Sequence, residues 1–306
     1  MSLFKHRPNV KATSDWYAQA SSEERREYDA FGPWIYEIKN EADMPVRFRP
    51  WYGQLAASAI VLKFPVDKER RTARPGQDLY RQILAINEQQ ICLLTLIGQE
   101  VDKQVIALAE LQALRNHHAL LAGEFSLFQS SGATLTIRYN AVSRQVIEHA
   151  MDFLRKRWKG QPAGQTPEST NPTTSLPADD SFRNLMQEHQ RREPHCKLVY
   201  CEEPGIRCSD NRGRRRRGLG ILVLETDTDW VFLTSGKPHR SSFEAVHAST
   251  CTCIPKTRIQ SVSLSAVDPV LTKSGRELVL RLRGQVFSFQ LYGEAEQLAT
   301  RLSPGN

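Results

Sequence analysis

The chain has 306 residues, 40% of them hydrophobic and 25% charged, which suits about two globular domains. Lys and Arg total 41 against 34 Asp and Glu, and the net charge of +7 favours anionic partners. No apolar run reaches the ~18 residues of a bilayer span and Met1 to Lys11 lacks an apolar signal core, so the expectation is a cytoplasmic protein, peripheral at most at the inner face of the membrane.

At the N-terminus, Ser14 to Tyr28 predicts a capped helix, followed by the aromatic cluster Phe31-Gly32-Pro33-Trp34-Ile35-Tyr36. Aromatic side chains seek burial, so residues 1–50 read as an extension packed on the first module rather than an exposed docking patch. A basic stretch, Asp67 to Leu79, comes next. Arg81 to Ile86 and Gln90 to Ile97 are apolar runs around Asn87-Glu88-Gln89, a hairpin pattern in which Cys92 is a small core hydrophobe. Val105 to Glu110 fits a strand, and His117-His118 reads as a loop without a carboxylate partner. Phe125 and Leu127, then Ser130-Ser131-Gly132, then Leu135, Ile137 and Tyr139, give a second hairpin. Val142, Val146, Ile147, Ala150, Phe153, Leu154 and Trp158 make one face of a helix, capped by Asn140 and ending in Arg155-Lys156-Arg157.

Residues 159–180, with prolines at 162, 167, 172 and 177, read as a disordered Pro/Thr/Ser linker between a module at 51–158 and another at 181–306. Beyond it, Leu219 to Leu224 and Trp230 to Leu233 flank Thr226-Asp227-Thr228-Asp229, and Cys253 to Leu264 is extended. Leu278, Leu280 and Leu282 alternate, Gly284 turns the chain into Val286 to Leu291, and Glu294 to Leu302 predicts a short helix. The halves align in order. Ile91 to Leu96 matches Trp230 to Thr234, Ile106 and Leu111 match Ile254 and Ile259, Gly132 matches Gly284, and Tyr139-Asn140 matches Tyr292-Gly293.

The stretch Gly220 to Asp227 followed by Trp230-Val231-Phe232-Leu233, and the crossing segment Ile254-Pro255-Lys256-Thr257-Arg258-Ile259, resemble bacterial pleckstrin-homology-like and GRAM-like domains. The resemblance covers 195 to 302 best and 55 to 158 less well. It implies a mainly β fold with α (α+β): two partly open β-barrel or sandwich modules in tandem, each closed by a C-terminal helix, plus the N-terminal helical extension. Such modules usually serve as non-catalytic binding platforms.

Two basic clusters each precede a strand: Lys68, Arg70, Arg71 and Arg74 in the first half, and Arg212, Arg214, Arg215, Arg216 and Arg217 in the second. Guanidiniums offer paired donors suited to phosphate. In lipid-binding members of the resembled family the loop between the first two strands binds phosphate, which implies that role for the second cluster. The expected function is therefore a tandem adaptor for a protein partner or anionic phospholipid, with electrostatic RNA or DNA binding as the alternative. No catalytic motif appears, and no enzyme activity or cofactor is expected. His195, Cys196, Cys201, Cys208, Cys251 and Cys253 are soft ligands but are not spaced for a tetrahedral zinc site, so no metal is expected.

Overall fold

A computed structural model describes residues 12–158, 177–209, 215–235, 248–266 and 275–304. The chain divides into two compact units, Met1–Ile106 and Ala107–Asn306.

In the first unit, one helix was expected over Ser14 to Tyr28, but two form: α1 (Ala12–Gln19) and α2 (Ser22–Ala30). The break lies at Ser21, whose hydroxyl accepts from the Glu24 amide while Glu24 accepts from the Ser21 amide. This reciprocal cap starts a new helix. Strands β1 (Tyr36–Glu37), β2 (Ile60–Pro65), β3 (Tyr80–Ile86), β4 (Gln90–Ile97) and β5 (Glu100–Ala107) are hydrogen-bonded in chain order. The short helix α3 (Tyr52–Leu55) precedes β2. The β3–β4 turn is held by the Asn87 side chain, which accepts from the amides of Gln89 and Gln90, both at 2.8 Å.

Met44, Phe48, Val61, Ile83, Cys92 and Leu94 belong to one core cluster of the unit. Cys92 is thus a core residue, and burial raises its thiol pKa. Phe31 packs with Ala73, Leu79 and Tyr80 in a second cluster, as an aromatic extension seeking burial should. Trp34 is the exception, 49% exposed.

The second unit opens with β6 (Leu111–Ala119), β7 (Ala122–Gln129), β8 (Thr134–Asn140) and α4 (Arg144–Trp158). Asn140 caps the 3-10 turn leading into α4 by accepting from the Val142 amide at 3.1 Å. Then come α5 (Asp180–Arg192), β9 (Lys197–Glu202), β10 (Gly205–Ser209), β11 (Arg215–Gly218), β12 (Ile221–Glu225), β13 (Asp229–Thr234) and β14 (Ser249–Pro255). The unit ends with β15 (Ile259–Ala266), β16 (Arg276–Leu282), β17 (Gln285–Leu291) and α6 (Ala295–Leu302). Helix α5 was not expected from the sequence. Most of the linker, 159–176, lies outside the described residues. Its last four residues are ordered differently from expectation: Pro177 is buried, and Asp179 caps α5 through the Phe182 amide at 3.0 Å.

The element order repeats. β2–β5, a 3-10 turn at Leu108–Glu110, β6–β8 and α4 are followed by β9, β12–β14, a 3-10 turn at Lys256–Arg258, β15–β17 and α6. The expected boundary at 159–180 is not where the compact units divide. The reason is strand pairing: the second unit's main sheet runs β8-β7-β6-β14-β13-β12-β9, so strands from both halves share it. β15, β16 and β17 form a separate antiparallel sheet. Phe232 stacks on Phe289 at 4.4 Å within a core that includes Trp230, Ile254, Leu280, Phe287 and Leu298. Such a ring pair adds about 0.5–1.5 kcal/mol beyond its buried area.

The two repeat-equivalent turns also touch. Gln285 donates to the carbonyls of Gln129 and Ala133 at 2.9 and 3.0 Å. Gly284 has φ of +70°, and a Cβ there would meet the Ser130 oxygen at 2.3 Å, so the turn needs glycine on both counts. Among the described residues, no helix is long and apolar enough to cross a membrane.

Candidate functional site

The basic clusters sit in matching places. Lys68, Arg70, Arg71 and Arg74 lie on the connection from β2 to β3, the first two strands of the repeat's four-strand run. Arg215, Arg216 and Arg217 lie on β11, within the connection from β9 to β12, the same step of the second repeat. Arg212 and Arg214 fall outside the described residues. The backbone places Arg215 opposite Ser209, Arg216 opposite Cys208 and Arg217 opposite Ile206, in a two-stranded ribbon with β10.

The first cluster is partly absorbed by the fold. Arg70 donates to the carbonyls of Asp29, at 3.1 Å, and Phe31, and its guanidinium lies 5.1 Å from the Tyr28 ring. Lys68 donates to Gln77 at 2.7 Å, and Arg71 pairs with Glu69. Lys68, Arg70, Arg71 and Arg74 are nevertheless all exposed.

A second polar region, missed in the sequence, runs along the β6–β14 seam. Residues placed opposite each other by register bond through their side chains. Arg115 donates to Thr252 at 3.1 Å, His117 Nδ1 lies 2.9 Å from the Thr250 hydroxyl, and His118 Nε2 lies 2.8 Å from the Ser249 hydroxyl. His117 and His118 therefore sit in a central strand, correcting the loop reading. Their polarity is matched across the ladder rather than by solvent. Burial, with Arg144 and His117 beside it, lowers the His118 pKa to about 4. The Arg115 guanidinium lies 5.1 and 5.3 Å from the rings of Phe128 and Phe287, and burial lowers its pKa to about 10.

Beside the seam, α4 is clasped to the β12–β13 turn. Arg155, its side chain 6% exposed, binds Asp229 at 2.7 and 3.2 Å and Glu193 at 2.6 Å. Burial opposes the charge on Arg155, but the neighbouring Cys253 and the Asp229 and Glu193 carboxylates together more than offset this and raise its pKa. Glu193 loses solvent as well, yet His189 and Arg155 pull its pKa down to about 2. The sequence showed Arg155 only as a cation at a helix end.

Next to this clasp lies a cleft of about 240 Å³ lined by Asp152, Lys156, Arg192, His195 and the turn Thr226–Thr228. Its charges are of both signs. Arg155 is already held by carboxylates, and Arg192 lies 3.9 Å from Asp152.

Cys251 and Cys253 share a strand face, with sulfurs 3.8 Å apart. Contact with Cys251, then burial, raises the Cys253 pKa, and burial raises Cys196 and Cys201 to about 11. The raised pKa values of Cys253, Cys196 and Cys201 disfavour metal binding and nucleophilic attack. Among the described residues, no group of three or more His, Cys, Asp or Glu is arranged to hold a metal. Neither a known family model nor a curated protein sequence matches this chain.

Proposed function

We propose that the chain is a non-catalytic binding protein of two pleckstrin-homology-like repeats, holding an anionic phospholipid surface through the arginines of its second basic connection. The observation that carries this reading is positional. Both basic clusters interrupt the same step of the repeated element order, between the first and second strands. Five arginines fall within 212–217, and three of them, Arg215, Arg216 and Arg217, lie on a ribbon that belongs to neither large sheet. Closely spaced guanidiniums repel one another, and phosphate headgroups relieve that repulsion. The inner face of a membrane, where anionic lipids concentrate, is the matching location.

Phosphatidylcholine–phosphatidylserine vesicles, phosphatidylcholine vesicles and single-stranded RNA, titrated in parallel, test the reading. The anionic vesicles should bind best. Changing Arg212, Arg214, Arg215, Arg216 and Arg217 to Ser should weaken that binding by about three orders of magnitude or more, since each basic residue near such a surface is worth about 1 kcal/mol. Unchanged binding by the Ser variant would sink the proposal, and tighter binding to RNA would move it to nucleic acid.

A further inference from the structure

One end of the seven-stranded sheet carries more than the arginines. The register sets Ala119 opposite Ala122, Ser249 opposite His118, Thr234 opposite Thr250 and Ile221 opposite both Thr234 and Glu202. The β6–β7 turn, the start of β14, the end of β13, the start of β12 and the end of β9 therefore share a rim. The β10–β11 ribbon joins that rim through 203–204 and 219–220. Strands lie ~4.8 Å apart, so β6 and β9 are separated by about 20 Å along it.

At the β6 end, the turn residues Leu120 and Leu121 are 66% and 63% exposed. Val142 is 51% exposed, and the adjacent Ala141 amide donates to the Leu121 carbonyl at 2.8 Å, which sets Val142 beside the turn. Leu120 has φ of +52° and is the one non-glycine with positive φ among the described residues. A side chain in that conformation costs ~1–2 kcal/mol, and Gly or Asn would relieve it. The chain thus holds an exposed leucine where folding favours a different residue.

We propose that Leu120, Leu121 and Val142 form an apolar anchor that enters the acyl boundary of an anionic bilayer, while Arg215, Arg216 and Arg217 on the same rim engage its headgroups. The inference rests on the lipid-binding reading above and adds a second, uncharged contact to it. A projecting two-residue turn suits insertion into lipid. It offers far less than the ~800 Å² per partner of a stable protein interface. Apolar tips combined with cations are the usual composition of a surface lying in the headgroup region.

The test uses the full chain with Leu120→Asn and Leu121→Ser combined. Asn accepts positive φ, so the thermal midpoint should hold or rise. Binding to phosphatidylcholine–phosphatidylserine vesicles should weaken about tenfold. The part of wild-type binding that survives high salt should be lost, because salt screens the arginines and not the leucines. Equal affinity and equal salt dependence for the double variant would overturn the anchor and leave the arginine reading standing. No binding of wild type to these vesicles would overturn both. If the wild type self-associates in sedimentation and the double variant does not, the turn belongs to an interface between copies and the anchor is overturned.

Discussion

The two repeats follow one order of elements but close their helices differently. In the second, α6 is fastened within its own repeat: Arg301 and Lys256 both bind Glu225 of β12, at 2.6 and 2.8 Å. In the first, α4 reaches across to the second repeat, where Arg155 binds Asp229 at the start of β13. The strands repeat the lesson, because β6 of the first repeat pairs with β14 of the second. Similar element orders can therefore fasten one closing helix within its own repeat and the other to the neighbouring repeat. A proline-spaced tether between two similar sequences does not make them independent.

The largest effect expected from this asymmetry is on chain cleavage. With a protease site inserted in 159–176, the cut halves should stay together on gel filtration, held by the β6–β14 ladder and the Arg155 clasp. Separate elution would break the comparison. Next, Asp229→Ala should lower stability by about 3–5 kcal/mol in urea unfolding, because it removes the buried partner of the Arg155 guanidinium and leaves it the partly exposed Glu193 and Asp152. Glu225→Ala should cost less, about 1–2 kcal/mol, since the Arg301 and Lys256 side chains are 25% and 14% exposed. The reverse order would mean that α4 is not the more dependent helix.

The smallest effect concerns pH. The His118 pKa is about 4 in the folded chain against an ordinary value near 6.5. Between those values the unfolded chain binds more protons, so this histidine removes stability as pH falls from about 6.5 to about 4. His118→Gln should flatten the thermal midpoint across that window. An unchanged pH slope would show that the seam does not hold this histidine neutral.

Local patterning was legible. Alternating leucines gave β16, Asn87 gave its turn, and Ile147, Ala150 and Leu154 gave the buried face of α4. The matches of Gly132 to Gly284 and of Ile106–Leu111 to Ile254–Ile259 fall on equivalent turns and junctions. What escaped was strand β6. Its Arg115, His117 and His118 do not alternate with apolar residues, because their side-chain partners come from β14, more than a hundred residues away. Helix α5 was readable in part: Phe182, Met186 and His189 are its buried face, behind the Asp179 cap. For the candidate site, the sequence located the arginines. It could not show that the ribbon and the Leu120 turn share a rim, since only pairing register brings them to one end of a sheet.

Shared pairing between β6 and β14 has a further consequence during synthesis. The 129 residues between Ala119 and Ser249 must be translated before β14 begins to emerge. At about 5–20 residues per second, β6 waits roughly ten seconds without that neighbour. An open strand edge is a template for aggregation, and charged or polar side chains along it discourage the wrong partner. Arg115, His117 and His118 later bond across the finished ladder. In the nascent chain the same three side chains would guard the unpaired strand.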